Sequence, residues 1–278
     1  MLLDVHAHPP AMWRPNEAEN VEQMERAYIA GLVRYDARAV VSQLRPGPGA
    51  PADLLPWERL HAGNAYVADL VRRYPDRLLG YCTTHPGYTT QALAELERRL
   101  VHQRDRFACL KMHSLAFCDD PSYDPLMEFC AAHDVPVLQH TFKQVGPEGP
   151  GSGNFPFEAT PERLLNLARR HPRVKFFGGH GGGDWEWGVA AWKQVDNIWL
   201  DMSGGEAIFG FMELALRALG PSRVVFGTDI WGRSIPSQVS RIVACDVSDA
   251  AKERMCWRNA VEVLGDRLPA SWREHFAQ

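Results

Sequence analysis

The sequence predicts an α/β fold, a single (β/α)8 barrel of eight parallel strands spanning residues 1–278. Three observations carry that expectation. Eight short apolar runs alternate with helix-like segments, one unit every ~30 residues, the spacing a strand–helix–strand crossover requires. Together they fill a chain of 278 residues, the length of one such barrel. The connections are also asymmetric. Helix-to-strand links are tight, as at His133-Asp134 and His171-Pro172-Arg173, while the strand-to-helix links 9–19, 44–56, 141–159 and 230–247 are long. In a parallel barrel the long links all lie at the C-terminal ends of the strands, where function collects. An open doubly wound sheet is the alternative, but no G-x-G-x-x-G turn follows the first strand.

The first strand is Leu2-Leu3-Asp4-Val5-His6-Ala7-His8, stopped by Pro9-Pro10. After a polar loop, Val21, Met24, Ala27, Tyr28 and Gly31 fall at helical spacing. Ala39-Val40-Val41 is the second strand, and the Gly- and Pro-rich stretch 44–56 is loop. A helix over 57–73 leads to strand three at 78–82. A second, over 89–102, puts Leu93, Leu96 and Leu100 on one side and leads to strand four at 107–113. A short helix at 125–133 precedes strand five, 135–140, and the 141–159 loop follows. Thr160 caps the next helix, with Pro161 at its first position, and His171 ends it. Strand six covers 174–180, strand seven 198–203 and strand eight 224–229, with helices through Trp192 and over 211–219 between them. Ser248 caps a last helix that ends near Leu264.

Hydrophobic residues make up 45% of the chain and charged residues 23%, ordinary globular values that allow a sizeable core. The net charge of −4 comes without any block of like charges, which argues against a nucleic-acid groove or an anionic membrane surface. No apolar run reaches the length of a membrane span, and the N-terminus lacks a basic segment followed by an apolar core. The six cysteines include no Cys-x-x-Cys pair and read as reduced, mostly buried thiols. The expectation is a cytoplasmic protein acting on a small molecule, with no nucleic-acid or membrane partner.

The polar residues at the strand ends form one set. His6 and His8, two apart on a strand, project from the same face. Strand four offers Lys111 and His113, strand five ends in His140, strand six in His180 and strand eight in Asp229. A closed barrel brings these positions to one rim. Taken singly, each reads equally as a polar strand end meeting solvent. As a set, imidazoles with one carboxylate have the make-up of a catalytic zinc site. His61, His102, His133, His171 and His275 lie on helices or at their ends and are assigned to the surface. Lys111 and His113 are candidates for binding a substrate carboxylate or oxyanion. Trp185 and Trp231, which follow strands six and eight, are candidates for the pocket wall. The 141–159 loop is a candidate lid.

These pieces resemble the metal-dependent amidohydrolase superfamily, in particular the amidohydrolase-related (family 2) branch that includes aminocarboxymuconate semialdehyde decarboxylase and related hydrolases and lactonases. The matching segments are Asp4-Val5-His6-Ala7-His8-Pro9, Cys109-Leu110-Lys111-Met112-His113, Pro136-Val137-Leu138-Gln139-His140-Thr141, Gly178-Gly179-His180-Gly181-Gly182, Phe226-Gly227-Thr228-Asp229 and Arg258-Asn259-Ala260-Val261-Glu262-Val263-Leu264-Gly265. The resemblance implies one divalent metal ion, usually Zn2+, held by His6, His8, His140 and Asp229, with His180 as the nearby acid/base residue, and frequently a homodimer. The expected reaction is hydrolysis of a small ester, lactone or amide, with Asp229 or His180 taking the proton of an activated water. The alternative is decarboxylation of a small unsaturated or aromatic carboxylate. Hydrolysis is preferred because decarboxylation calls for a fixed cation, and the sequence does not fix Lys111, Arg233 or Arg45 in that role. Three other readings compete. TatD-type deoxyribonucleases place a glutamate where Lys111 stands. Phosphotriesterase-like enzymes bridge two metals with a carbamylated lysine on strand four, whereas the branch resembled here implies one metal and an ordinary Lys111. A barrel that binds a ligand without turning it over would have no need of intact metal ligands.

Overall fold

The computed structural model describes residues 1–10, 18–43, 56–143, 157–205, 208–230 and 232–277. Among them, eight parallel strands form one sheet. In order they are β1 (Leu2–Ala7), β2 (Ala37–Val41), β3 (Leu78–Thr83), β4 (Phe107–Met112), β5 (Val137–Gln139), β7 (Phe176–Gly178), β9 (Ile198–Asp201) and β10 (Val224–Val225). Two further strands, β6 (Phe142–Lys143) and β8 (Gly182–Gly183), pair into a small ribbon that joins the segments leaving β5 and β7. The ring closes where β1 meets the chain after β10. Val5 N donates to Phe226 O at 3.0 Å, Asp229 N to His6 O at 2.7 Å and His8 N to Ile230 O at 2.9 Å. The predicted eight-stranded barrel is therefore the fold.

The helices are α1 (Ala18–Arg34), α2 (Trp57–Arg73), α3 (Thr89–Leu96), α4 (Asp124–Ala132), α5 (Pro161–Arg170), α6 (Trp185–Trp192), α7 (Phe211–Leu219), α8 (Ile235–Val243), α9 (Asp249–Glu253), α10 (Asn259–Leu264) and α11 (Ala270–Phe276). The strands are buried on both faces, as a barrel wall wrapped by helices must be. Successive strand residues alternate between two cores. Leu2, Ala7, Val41 and Leu78 join the larger core with the helices, while Leu3, Val5, Val40, Leu79 and Leu138 join the second. That second core continues into Trp257, Trp272 and Phe276. The indole of Trp272 on α11 donates to Pro75 O, just ahead of β3, so α11 closes the N-terminal end of the barrel. The sequence reading stopped at α10 and missed this plug.

Both predicted caps form. Thr160 Oγ1 accepts from Arg163 N, and Ser248 Oγ accepts from Ala251 N, each at 3.3 Å. Two expectations need correction. The stretch 230–247, expected to be loop, contains α8, capped by Ser234. Pro236 stands in the first turn of that helix, where its missing N–H costs nothing. Strands six and eight also end early, at Gly178 and Val225 rather than at His180 and Asp229. His180 and Asp229 take left-handed backbone conformations (φ 56° and 55°) in the turns that follow. Trp231, Arg45 and the greater part of the 44–56 and 141–159 loops lie outside the described residues.

Candidate metal centre

His6, on β1, is fully buried at the C-terminal mouth of the barrel. Its Nδ1 donates to Asp201 Oδ2 at 2.6 Å, which turns Nε2 toward Lys111 Nζ, 2.9 Å away. His8 donates from Nδ1 to Ser42 O at 2.9 Å, which leaves Nε2 facing Asp229 Oδ1 at 3.4 Å. Lys111 projects from β4 and is completely buried. His113, one residue past that strand, stacks on the His140 ring (centroids 4.5 Å apart, planes at 13°). His140 Nδ1 lies 3.1 Å from His180 Nε2, and its Nε2 lies 3.4 Å from Glu158 Oε1.

Two buried carboxylates hold this arrangement together. Asp4 accepts from His6 N and Thr228 N at 3.0 Å and from Thr228 Oγ1 at 2.5 Å, which ties β1 to the turn that presents Asp229. Asp201, at the end of β9, accepts from Ser203 Oγ at 2.6 Å, from Ser203 N at 2.8 Å and from His6. Ser203 Oγ in turn lies 3.3 Å from His180 Nδ1. Arg241 on α8 fixes that segment by donating to Met202 O at 2.6 Å and Gly204 O at 3.1 Å. Gly204 is in the left-handed region (φ +71°), and a Cβ there would stand 2.3 Å from His180 Nδ1. Glycine is thus needed for both conformation and space.

Burial, reinforced by the charge on Lys111, holds the His6 imidazolium well below its usual pKa, and burial does the same to His113 and His180. Burial opposes ionisation of Asp229, but the surrounding His180, His8 and His6 outweigh it and hold its pKa well below the carboxylate range. Burial pushes Lys111 down to about 8 against the pull of Asp229, Asp201 and Glu158. Burial raises Asp4 to about 7 despite its three donors.

Neutral imidazoles beside an ionised carboxylate are the protonation states a divalent ion requires of its ligands. Ligand atoms of His6, His180 and Asp229 lie within 4.8 Å of one another. His8 and His140 flank that cluster, at the distances already given from Asp229 and His180. The Nδ1 atoms of His6 and His8 are taken by Asp201 and Ser42, so each turns Nε2 into the site, that of His6 beside Lys111 and that of His8 beside Asp229, the orienting arrangement usual behind metal-bound histidines. The donor set therefore fits one divalent cation. All of the predicted strand-end residues that are described, His6, His8, Lys111, His113, His140, His180 and Asp229, gather at this mouth. Trp185 opens α6 and packs against Phe211, with ring centroids 5.5 Å apart.

Sequence reasoning missed Asp4, Asp201, Ser203, Glu158 and Arg241. Asp201 ends an apolar strand just as the other site residues do, so the same rule applied to strand seven would have found it. Glu158 and Arg241 come from a loop and a helix and carry no such signal.

The sequence profile of the amidohydrolase family matches residues 3–265. No curated protein matches the chain by sequence. Solved structures do resemble it. One is 5-carboxyvanillate decarboxylase from Sphingomonas paucimobilis (TM-score 0.71, 16% identity, 95% of this chain and 98% of that one). Another is dihydroxybenzoic acid decarboxylase from Polaromonas sp. JS666 with bound manganese and the inhibitor 2-nitroresorcinol (0.71, 17%, 97% and 98%). A third is 4-oxalomesaconate hydratase from Rhodopseudomonas palustris (0.67, 16%, 99% and 98%).

Proposed function

The chain belongs to the amidohydrolase family, and on that premise we propose that it is a metal-dependent hydrolase of a small ester, lactone or amide. The observation that carries this reading is the Asp229 carboxylate set among imidazoles, with Oδ1 3.4 Å from His8 Nε2 and 3.9 Å from His6 Nε2. His6, His8, His140 and Asp229 would hold the ion, which we take to be zinc. When bound, such an ion supplies Lewis acidity to a carbonyl oxygen and lowers the pKa of water. Asp229 is a carboxylate at neutral pH, and so a base, and it accepts the proton of the attacking water. His180 has Nδ1 turned toward Ser203, so its Nε2 is the nitrogen through which that same proton passes from Asp229 to the leaving group. Lys111 stabilises negative charge developing on the substrate oxygen. His113 lies beside His140 and lines the same side.

A second reading, decarboxylation of a small aromatic or unsaturated carboxylate, is supported by one observation. Lys111 is a fixed cation on the site floor, the feature that decarboxylation needs and the sequence left open. Two of the similar structures are decarboxylases. A panel of esters, lactones, amides and carboxylated phenols separates the readings. We expect metal-dependent acid release with solvent 18O in the product. Metal-dependent CO2 release without 18O would replace hydrolysis by decarboxylation. We also take the homodimer from the family resemblance; sedimentation at micromolar concentration reads it directly.

A further inference from the structure

We propose that Glu158 is the positioning residue that makes His140 offer Nδ1 to the ion, the opposite nitrogen from the one His6 and His8 offer. The proposal rests on the metal-dependent reading above.

Stacking against His113 fixes the plane of the His140 ring but not its rotation within that plane. Turned by half a revolution about Cβ–Cγ, the ring would exchange Nδ1 for a carbon. Glu158 Oε1 stands 3.4 Å from Nε2, while Nδ1 faces His180. Oε1 already accepts from Phe142 N and is therefore an acceptor toward Nε2 as well, which puts the imidazole proton on Nε2 and points the lone pair of Nδ1 into the site.

The carboxylate itself is held in place. Its Oε1 accepts from Ser114 Oγ at 3.0 Å and from Phe142 N at 3.2 Å, one on the segment after β4 and the other on β6. Two residues later Thr160 caps α5, and the indole of Trp192 donates to Pro161 O at 3.2 Å. The end of the 141–159 loop is thus a rigid mount. Ser114 and Phe142 would be served equally well by a neutral glutamine. Burying a charged carboxylate is costly, and at 5% exposure Glu158 is nearly out of water. A negative partner that raises the basicity of a ligating imidazole gives that charge a use.

The test compares metal binding by wild type, Glu158→Ala, Glu158→Gln and Ser114→Ala. Zn2+ affinity is measured by competition with a chromophoric chelator, and ligand geometry from the visible spectrum of the Co2+ form. Circular dichroism and melting curves establish folding. We expect Glu158→Ala to weaken Zn2+ binding by about 10- to 100-fold and to change the Co2+ spectrum. Glu158→Gln, which keeps the oxygen and loses the charge, should lie between it and wild type, and Ser114→Ala should stay near wild type. A folded Glu158→Ala protein with wild-type affinity and spectrum overturns the proposal. If Glu158→Ala does not fold, unchanged affinity and spectrum in Glu158→Gln overturn it instead. A wild-type protein that binds neither Zn2+ nor Co2+ overturns the metal-dependent reading itself, and the proposal with it.

Discussion

Asp201→Asn is the substitution that separates a metal centre from a merely buried polar cluster. The change keeps volume and shape. The Asn carbonyl oxygen can replace Asp201 Oδ1, which accepts from Ser203 N at 2.8 Å. Its amide nitrogen then takes the place of Oδ2, 2.6 Å from His6 Nδ1. Two donors cannot face each other at that distance, so His6 must move its proton to Nε2. That atom faces Lys111 Nζ at 2.9 Å and is the one left to coordinate an ion. Loss of an orienting partner behind a metal-bound histidine costs about 10- to 100-fold in affinity, or roughly 1.4–2.7 kcal/mol. The wrong tautomer places the effect at the upper end or beyond it. The assay is Zn2+ competition binding on folded protein, with a melting curve as control. Wild-type affinity in a folded Asp201→Asn protein would refute the reasoning.

Lys111→Met should raise the melting temperature of the metal-free protein at pH 7. The folded pKa of Lys111 is near 8, against 10.5 unfolded, so the unfolded chain binds more protons between those values and wild type gains stability as pH rises through that window. Below pH 8 the full penalty is present, about 3 kcal/mol for the shift of some 2.5 units; a melting difference that does not shrink between pH 8 and 10.5 would count against it. Gly204→Ala and Gly205→Ala share a left-handed backbone (φ +71° and +64°), but only at Gly204 would a Cβ meet His180. Each should lose about 1–3 kcal/mol in stability, and only Gly204→Ala should also lose turnover; equal turnover in the two variants would remove His180 from the reaction. His6→Ala and His140→Ala should each lose the ion while circular dichroism still shows a folded barrel, because the core strands pack through apolar side chains; full metal retention in both would reject the ligand set.

The barrel was legible because its signals are local and repeated. The apolar runs of Leu78-Leu79-Gly80-Tyr81-Cys82 and Val224-Val225-Phe226 identify themselves as strands, and Thr160-Pro161 announces a helix start. His6, Lys111, His140 and Asp229 were legible because parallel closure turns strand ends in sequence into neighbours in space. What stayed hidden depends on contacts distant in sequence. Asp4 earns its place from Thr228, 224 residues away, and Glu158 from His140 across a loop. The left-handed turns at His180 and Asp229 look like strand in the sequence, since an apolar run followed by a polar residue has the same pattern whether the backbone continues or turns. The plug formed by α11 depends on which open end of the barrel needs cover, and that is known only once the barrel is closed.

The most direct test of the central claim is metal content measured beside turnover. We expect elemental analysis of the reconstituted protein to give close to one divalent ion per chain. Chelation should abolish turnover of whichever panel substrate is active, and one equivalent of zinc should restore it. Full turnover by the chelated, metal-free protein would contradict the account.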